Sequence, residues 1–96
     1  MLNPKELIKM QMEAKKMQSK LREKKITGES KDEMLRITMN GAQEFEDIQV
    51  DDSLMDINMI DRFKKDMSEA FKDYQKKLQK EMAQDIDLDK IKGLLG

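Results

Sequence analysis

Met34-Leu35-Arg36-Ile37-Thr38-Met39-Asn40-Gly41, followed by Phe45-Glu46-Asp47-Ile48-Gln49-Val50, decides the fold. Leu35, Ile37 and Met39 alternate with Arg36 and Thr38, the period of a strand with one apolar face. Asn40-Gly41 is the strongest short signal for a reversal, because both residues tolerate positive φ. Ile48 and Val50 mark the returning strand. Phe45 has the wrong parity for them, which predicts a β-bulge near Glu46-Asp47 or a split between two faces. Upstream, Ile26-Thr27-Gly28 breaks a helical pattern and opens a further strand, with a turn at Lys31-Asp32-Glu33. Residues 26–50 are expected to form a three-stranded antiparallel meander.

Helices flank it. Asn3 can cap free N–H groups, Pro4 suits a first helical position, and Glu6 has capping-box spacing from Asn3. Leu7, Met10, Ala14, Met17 and Leu21 then recur at spacings of three and four, an apolar seam on a helix over about residues 4–24. The seam is too short for a free-standing coiled coil, so it is expected to pack on a helix or sheet. Asp51-Asp52-Ser53 ends the sheet. A second helix is predicted from about Asp56 to residue 84, with a stripe of Ile60, Phe63, Met67, Ala70/Phe71, Tyr74, Leu78 and Met82. Residues 85–96 alternate acidic and apolar residues and are expected to be a flexible tail. The fold class is α+β, one domain over 1–96, in the order α-β-β-β-α.

Composition argues for a second copy. The chain has 96 residues, of which 41% are charged, 38% hydrophobic and 4% aromatic, with ten Met supplying much of the apolar volume. So small and Met-rich a core is marginal alone, and a homodimer is the simplest remedy. There is no Cys and no His. The usual catalytic bases, nucleophiles and soft metal ligands are therefore missing, and no enzyme is expected. Gly28 and Gly41 stand alone, so neither belongs to a phosphate-cradling loop. Asp47, Asp51, Asp52 and Asp56 lack the alternation of a calcium loop and read as solvated loop and cap residues. No cofactor, metal or small-molecule substrate is expected. No apolar run is long enough to span a bilayer, the first residues are too polar for a signal peptide, and a cytoplasmic location is expected.

The net charge of −1 hides an asymmetry. Residues 1–25 carry eight Lys/Arg against three Asp/Glu, and residues 62–84 carry seven against four. Between them, residues 26–61 carry two against ten. Two basic helices thus flank an acidic sheet, a distribution that admits a polyanionic partner despite a pI near 5.5.

Thr27-Gly28-Glu29-Ser30, Leu35-Arg36-Ile37-Thr38-Met39-Asn40-Gly41 and Ile48-Gln49-Val50-Asp51-Asp52-Ser53-Leu54 together resemble the YbaB/EbfC family. Its members read T-G-E, then V-x-V-x-x-N-G, then V-x-I-D-P-x-L-L. The stretch from Met10 to Gln18 and Ala70-Phe71-Lys72-Asp73 resemble it too. This chain departs from it at Lys31-Asp32-Glu33, where the family often has a glycine-rich turn, and at Asp52, where Pro is usual. The resemblance implies a dimer with a sheet-built centre and projecting helices, likened to tweezers, that binds duplex DNA on the nucleoid with little sequence preference.

On that reading Lys9, Lys15, Lys16, Lys20, Arg22 and Lys25 of the first basic segment, and Lys72, Lys76, Lys77 and Lys80 of the second, are the candidate phosphate contacts. The ordinary alternative is a solvated helix face kept soluble by Lys. A rival from another class is a helix–hairpin–helix holdase or adaptor, prefoldin-like in outline, gripping protein through its Met seams. Membrane binding is not expected, because the first helix lacks Trp or Phe to anchor it.

Overall fold

The computed structural model describes residues 3–84, so the expected tail at 85–96 lies outside the described residues. Helix α1 (Pro4–Glu23) leads into strands β1 (Lys25–Glu29), β2 (Leu35–Asn40) and β3 (Phe45–Val50). Two 3-10 turns, Asp52–Leu54 and Ile57–Met59, then lead into helix α2 (Ile60–Gln84). The strands form one antiparallel sheet in the order β1-β2-β3, as the alternation predicts. The α-β-β-β-α order is confirmed.

The start of α1 follows its sequence signal. Asn3 Oδ1 accepts a hydrogen bond from the Glu6 amide at 2.8 Å, and Pro4 occupies the first helical position. The second helix starts later than expected. Asp56 does cap, but it caps the Ile57–Met59 turn by accepting from the Asn58 amide, and α2 begins at Ile60.

The predicted bulge is present. Thr38 faces Asp47 while Met39 faces Phe45, leaving Glu46 unpaired. The extra residue restores parity, so Phe45, Ile48 and Val50 oppose Met39, Ile37 and Leu35 on one face. The turns are built differently from expectation. Gly41 has no positive φ; the left-handed residue of the β2–β3 reversal is Gln43, at φ 64°. Asn40 sets that turn with its side chain, its Oδ1 accepting from the amides of Ala42 at 2.9 Å and Glu44 at 3.1 Å. Gly41 is needed for another reason. Its N–H donates to the Leu21 and Lys24 carbonyls, at 2.8 and 2.9 Å. A Cβ there would lie 2.7 Å from the Leu21 oxygen. The glycine thus lets the hairpin meet the end of α1, where the Leu21 carbonyl also accepts from the Lys24 cap amide at 3.2 Å. In the β1–β2 turn Glu33 takes φ 63°. Asp32 Oδ1 accepts from Ser30 Oγ at 2.6 Å and the Met34 amide at 3.0 Å, which supports a turn without glycine.

Helix α2 packs over β1 and β2. Leu35, Ile37, Leu54 and Ala70 form the buried centre, with Met39, Ile48, Val50, Phe63 and Met67 around it. Ile26 and Tyr74 are also buried, and Tyr74 Oη donates to the Asn40 carbonyl at 2.6 Å. α1 contributes no buried residue. Its seam packs on neither a helix nor a buried sheet face within one copy: Leu7 is 47% exposed, Met10 54% and Met17 69%.

One core position is anomalous. Asp66, 1% exposed, lies under the β1–β2 turn with Oδ2 unpartnered among the described residues. Burial pushes its carboxyl above the usual carboxylate range, and Asp32 and Glu69 add to this against the pull of Arg62. The native state therefore holds a proton that the unfolded chain gives up. That stabilisation is complete below the unfolded carboxylate value of about 4 and is lost as pH rises through the higher native one. Asp66→Asn, which keeps a donor facing Asp32, should match wild-type stability at acid pH. Its melting temperature should exceed wild type by several degrees near neutrality. Parallel melting curves from pH 4 to 8 check this; a constant difference would mean that Asp66 does not titrate with folding.

Candidate nucleic-acid interface

The candidate cations fall on two helices and divide into free and engaged groups. Lys9, Lys15, Lys16 and Lys20 project from α1, and Lys72, Lys76 and Lys80 from α2; all seven are exposed. None of the seven forms an ion pair within 4 Å among the described residues, although Lys76 is close enough to help hold the Asp73 carboxyl below its ordinary range, so each ammonium is available to a polyanion at little cost.

Three candidates are already occupied. Arg22 Nε and Nη2 donate to the two carboxylate oxygens of Glu44 at 2.9 and 3.2 Å. This fork holds the Glu44 carboxyl below its ordinary range. Lys25 Nζ lies 3.9 Å from Glu46. Lys77 Nζ lies 2.9 Å from Asp73 Oδ2 and donates to the Thr27 carbonyl at 2.9 Å. These residues brace the sheet against the helices before any ligand arrives. The partners of Arg22 and Lys25, Glu44 and Glu46, lie 22 and 21 residues away along the chain, beyond the reach of helical spacing, whereas Asp73 stands four residues before Lys77 on the same helix and was legible as its partner.

Two cations went unnoticed. Lys64 and Lys65 sit on the first turns of α2, both exposed. Lys65 lines an open groove with Lys72 and Lys76, where Lys31, Glu33 and Glu69 also face in. The spacing of Lys65, Lys72 and Lys76 (i, i+7, i+11) carried the signal.

The acidic middle is largely spent on structure. Asp51 accepts from the Ser53 amide at 3.0 Å and Asp56 from the Asn58 amide at 2.9 Å, as caps. Glu29 pairs with Arg36 at 2.8 Å across the open sheet face. No group of acidic residues suited to a metal ion occurs among the described residues.

Basic helices on an acidic, hairpin-centred sheet match a known pattern. Residues 3–88 fit the model of the YbaB/EbfC DNA-binding family. This chain belongs to that family. Its fold is shared with HP0035, an uncharacterized protein from Helicobacter pylori, whose crystal structure superposes with a TM-score of 0.57. The two are 24% identical, over 81% of this chain and 90% of that one. No curated protein sequence matches this chain significantly.

The motifs shared with the family now have physical roles. In Thr27-Gly28-Glu29, Thr27 Oγ1 lies 3.0 Å from Thr38 Oγ1 on the open face. Gly28 lies against the backbone of α2. The amide of Glu29 donates to Asp73 Oδ2 at 2.9 Å. Each residue of T-G-E therefore ties β1 to a neighbouring element. Asn40-Gly41 ties the second hairpin to the end of α1.

Proposed function

We propose that this chain is a nucleoid-associated protein that binds duplex DNA as a homodimer with little sequence preference. Lys9, Lys15, Lys16 and Lys20 on α1 and Lys72, Lys76 and Lys80 on α2 are its phosphate contacts. The observation that carries this reading is the set of seven exposed, unpaired lysines on the helices of a DNA-binding family member. Low specificity has its own support. Bidentate reading of guanine is the work of arginine, and all three arginines are engaged. Arg22 holds Glu44, Arg36 holds Glu29 and Arg62 holds Asp32. Such a protein belongs in the cytoplasm, on the chromosome.

Self-association is supported by the uncovered seam of α1 and the small buried centre. Light scattering at micromolar concentration should give about twice the chain mass, and the melting temperature should rise with protein concentration. A folded monomer with a concentration-independent melting point would rule the dimer out.

The test of the DNA reading is salt. If about four to six phosphates are neutralised per dimer, log K should fall against log salt with a slope of about −4 to −5 for any duplex sequence. The exposure of Leu7, Ile8, Met10, Met12 and Met17 on α1 also fits a protein-gripping module. Absence of a gel shift at about 50 mM salt, with suppression of aggregation of a model client, would favour that rival.

A further inference from the structure

The sheet has two outer strands, and an outer strand offers a row of unpaired N–H and C=O groups on which another chain can build. β3 and β1 both occupy that position in the order β1-β2-β3. Side chains of α2 occupy much of the β1 edge. Lys77 Nζ donates to the Thr27 carbonyl at 2.9 Å, the Glu29 amide donates to Asp73 Oδ2 at 2.9 Å, and the Lys31 amide just beyond donates to Glu69 Oε1 at 3.2 Å. Thr27, Glu29 and Lys31 are alternate residues, so these are successive outward-facing backbone groups. Glu69, Asp73 and Lys77 follow at i, i+4 and i+8, one row along the helix. The row is also internally joined, because Lys77 Nζ lies 2.9 Å from the same Asp73 oxygen that accepts from Glu29.

The close crossing at Gly28 makes the reach possible. A Cβ there would collide with the Ala70 carbonyl and fall 2.6 Å from the Tyr74 nitrogen, so β1 touches the backbone of α2 at Ala70 and Tyr74, each one residue beyond Glu69 and Asp73. From there, short carboxylates can reach backbone amides that would otherwise need another strand. The order of acceptor, acceptor and donor along the row matches the amide, amide and carbonyl it meets.

We propose that Glu69, Asp73 and Lys77 form an edge lock that occupies β1 in place of a neighbouring strand and prevents the β1 edge of a second copy from pairing with it. The occupant excluded is a second copy because the edge is self-complementary: two β1 strands running antiparallel would satisfy each other's outward groups. The lock confines self-association to other surfaces, and it stands whether or not the chain binds DNA.

The chain contains no Cys, so Glu29→Cys places one reporter thiol on β1. In that background, Glu69→Ala, Asp73→Ala and Lys77→Ala together should give species of at least twice the wild-type mass by light scattering without DNA. Under mild oxidation the same variant should cross-link at least tenfold more than the reporter alone. A control triple on the exposed side of α2 (Lys64→Ala, Ser68→Ala, Gln75→Ala) should leave mass and cross-linking unchanged. Circular dichroism establishes that each variant retains its helices. Should the lock triple fail to fold, Lys77→Met decides, since it frees the Thr27 carbonyl and leaves both carboxylates in place; a rise in mass and cross-linking in the same direction is expected. A folded lock variant with wild-type mass and no added cross-link overturns the proposal, as does an equal response from the control triple.

Discussion

Gly28→Ala will destabilise the chain by about 3 kcal/mol or more, at the upper end of what overpacking a core contact costs. At an ordinary φ, the loss of chain entropy on replacing glycine with alanine would stabilise by about 0.4–1 kcal/mol. The contact reverses that sign. The new methyl would collide with the Ala70 carbonyl and lie 2.6 Å from the Tyr74 nitrogen, and both belong to backbone that cannot swing aside as a flexible side chain can. Either β1 leaves the sheet or α2 lifts from it, and lifting uncovers Ala70 and Tyr74, both buried. A urea midpoint that collapses for Gly28→Ala is the expected result. Gly41→Ala should cost less, since its methyl meets only the Leu21 carbonyl region at the end of α1, a helix with no buried residue. Equal midpoints for wild type and Gly28→Ala would show that α2 does not cross β1 there.

The second large effect is on binding. If Lys15, Lys16 and Lys20 are phosphate contacts as proposed, Lys15→Glu, Lys16→Glu and Lys20→Glu together should weaken duplex binding by about 100-fold or more, because each copy loses three such contacts and gains three repulsive charges. These side chains are exposed and unpaired and lie off the Leu7–Leu21 seam, so helical content and the mass of the species in solution should survive. A triple change on the sheet and its turn (Arg36→Glu, Gln43→Glu, Gln49→Glu), at exposed positions off both helices, also adds negative charge and should have a much smaller effect. If both triples weaken binding alike, net charge rather than the α1 surface governs the interaction.

The sequence made legible those features that depend on neighbours along the chain. Alternation at Leu35, Ile37 and Met39 identified a strand, the parity of Phe45 identified a bulge, and Asn3-Pro4 identified a helix start. Features that depend on distant approach were hidden. Gly41 looks like a residue chosen for positive φ, and only the landing of Leu21 beside it reveals a steric requirement instead. Arg22 and Lys25 look no different from the free cations around them until Glu44 and Glu46 are brought alongside. The seam of α1 is legible as apolar, but spacing alone does not say whether the helix or sheet that covers it belongs to the same chain or to a second copy. Asp66 carried a positional signal, lying three residues after Phe63 and four before Ala70 on the apolar stripe, but an acidic residue on a charged helix reads as solvent-facing until the turn at Ser30–Met34 closes over it.

The attachment of α1 has a mechanical consequence. Among the described residues, its bonds to the sheet come from its last turn, at Leu21 and Arg22, so the helix is a beam clamped at one end. Twenty residues make it about 30 Å long. A rotation of only about 10° at the clamp would carry the free end through about 5 Å, close to the difference between the two groove widths of B-DNA. If two copies grip a duplex as proposed, a pair of such beams would change its span while the sheet and α2 stay fixed. Tolerance of DNA shape would then arise from leverage at one joint, with no rearrangement of the core.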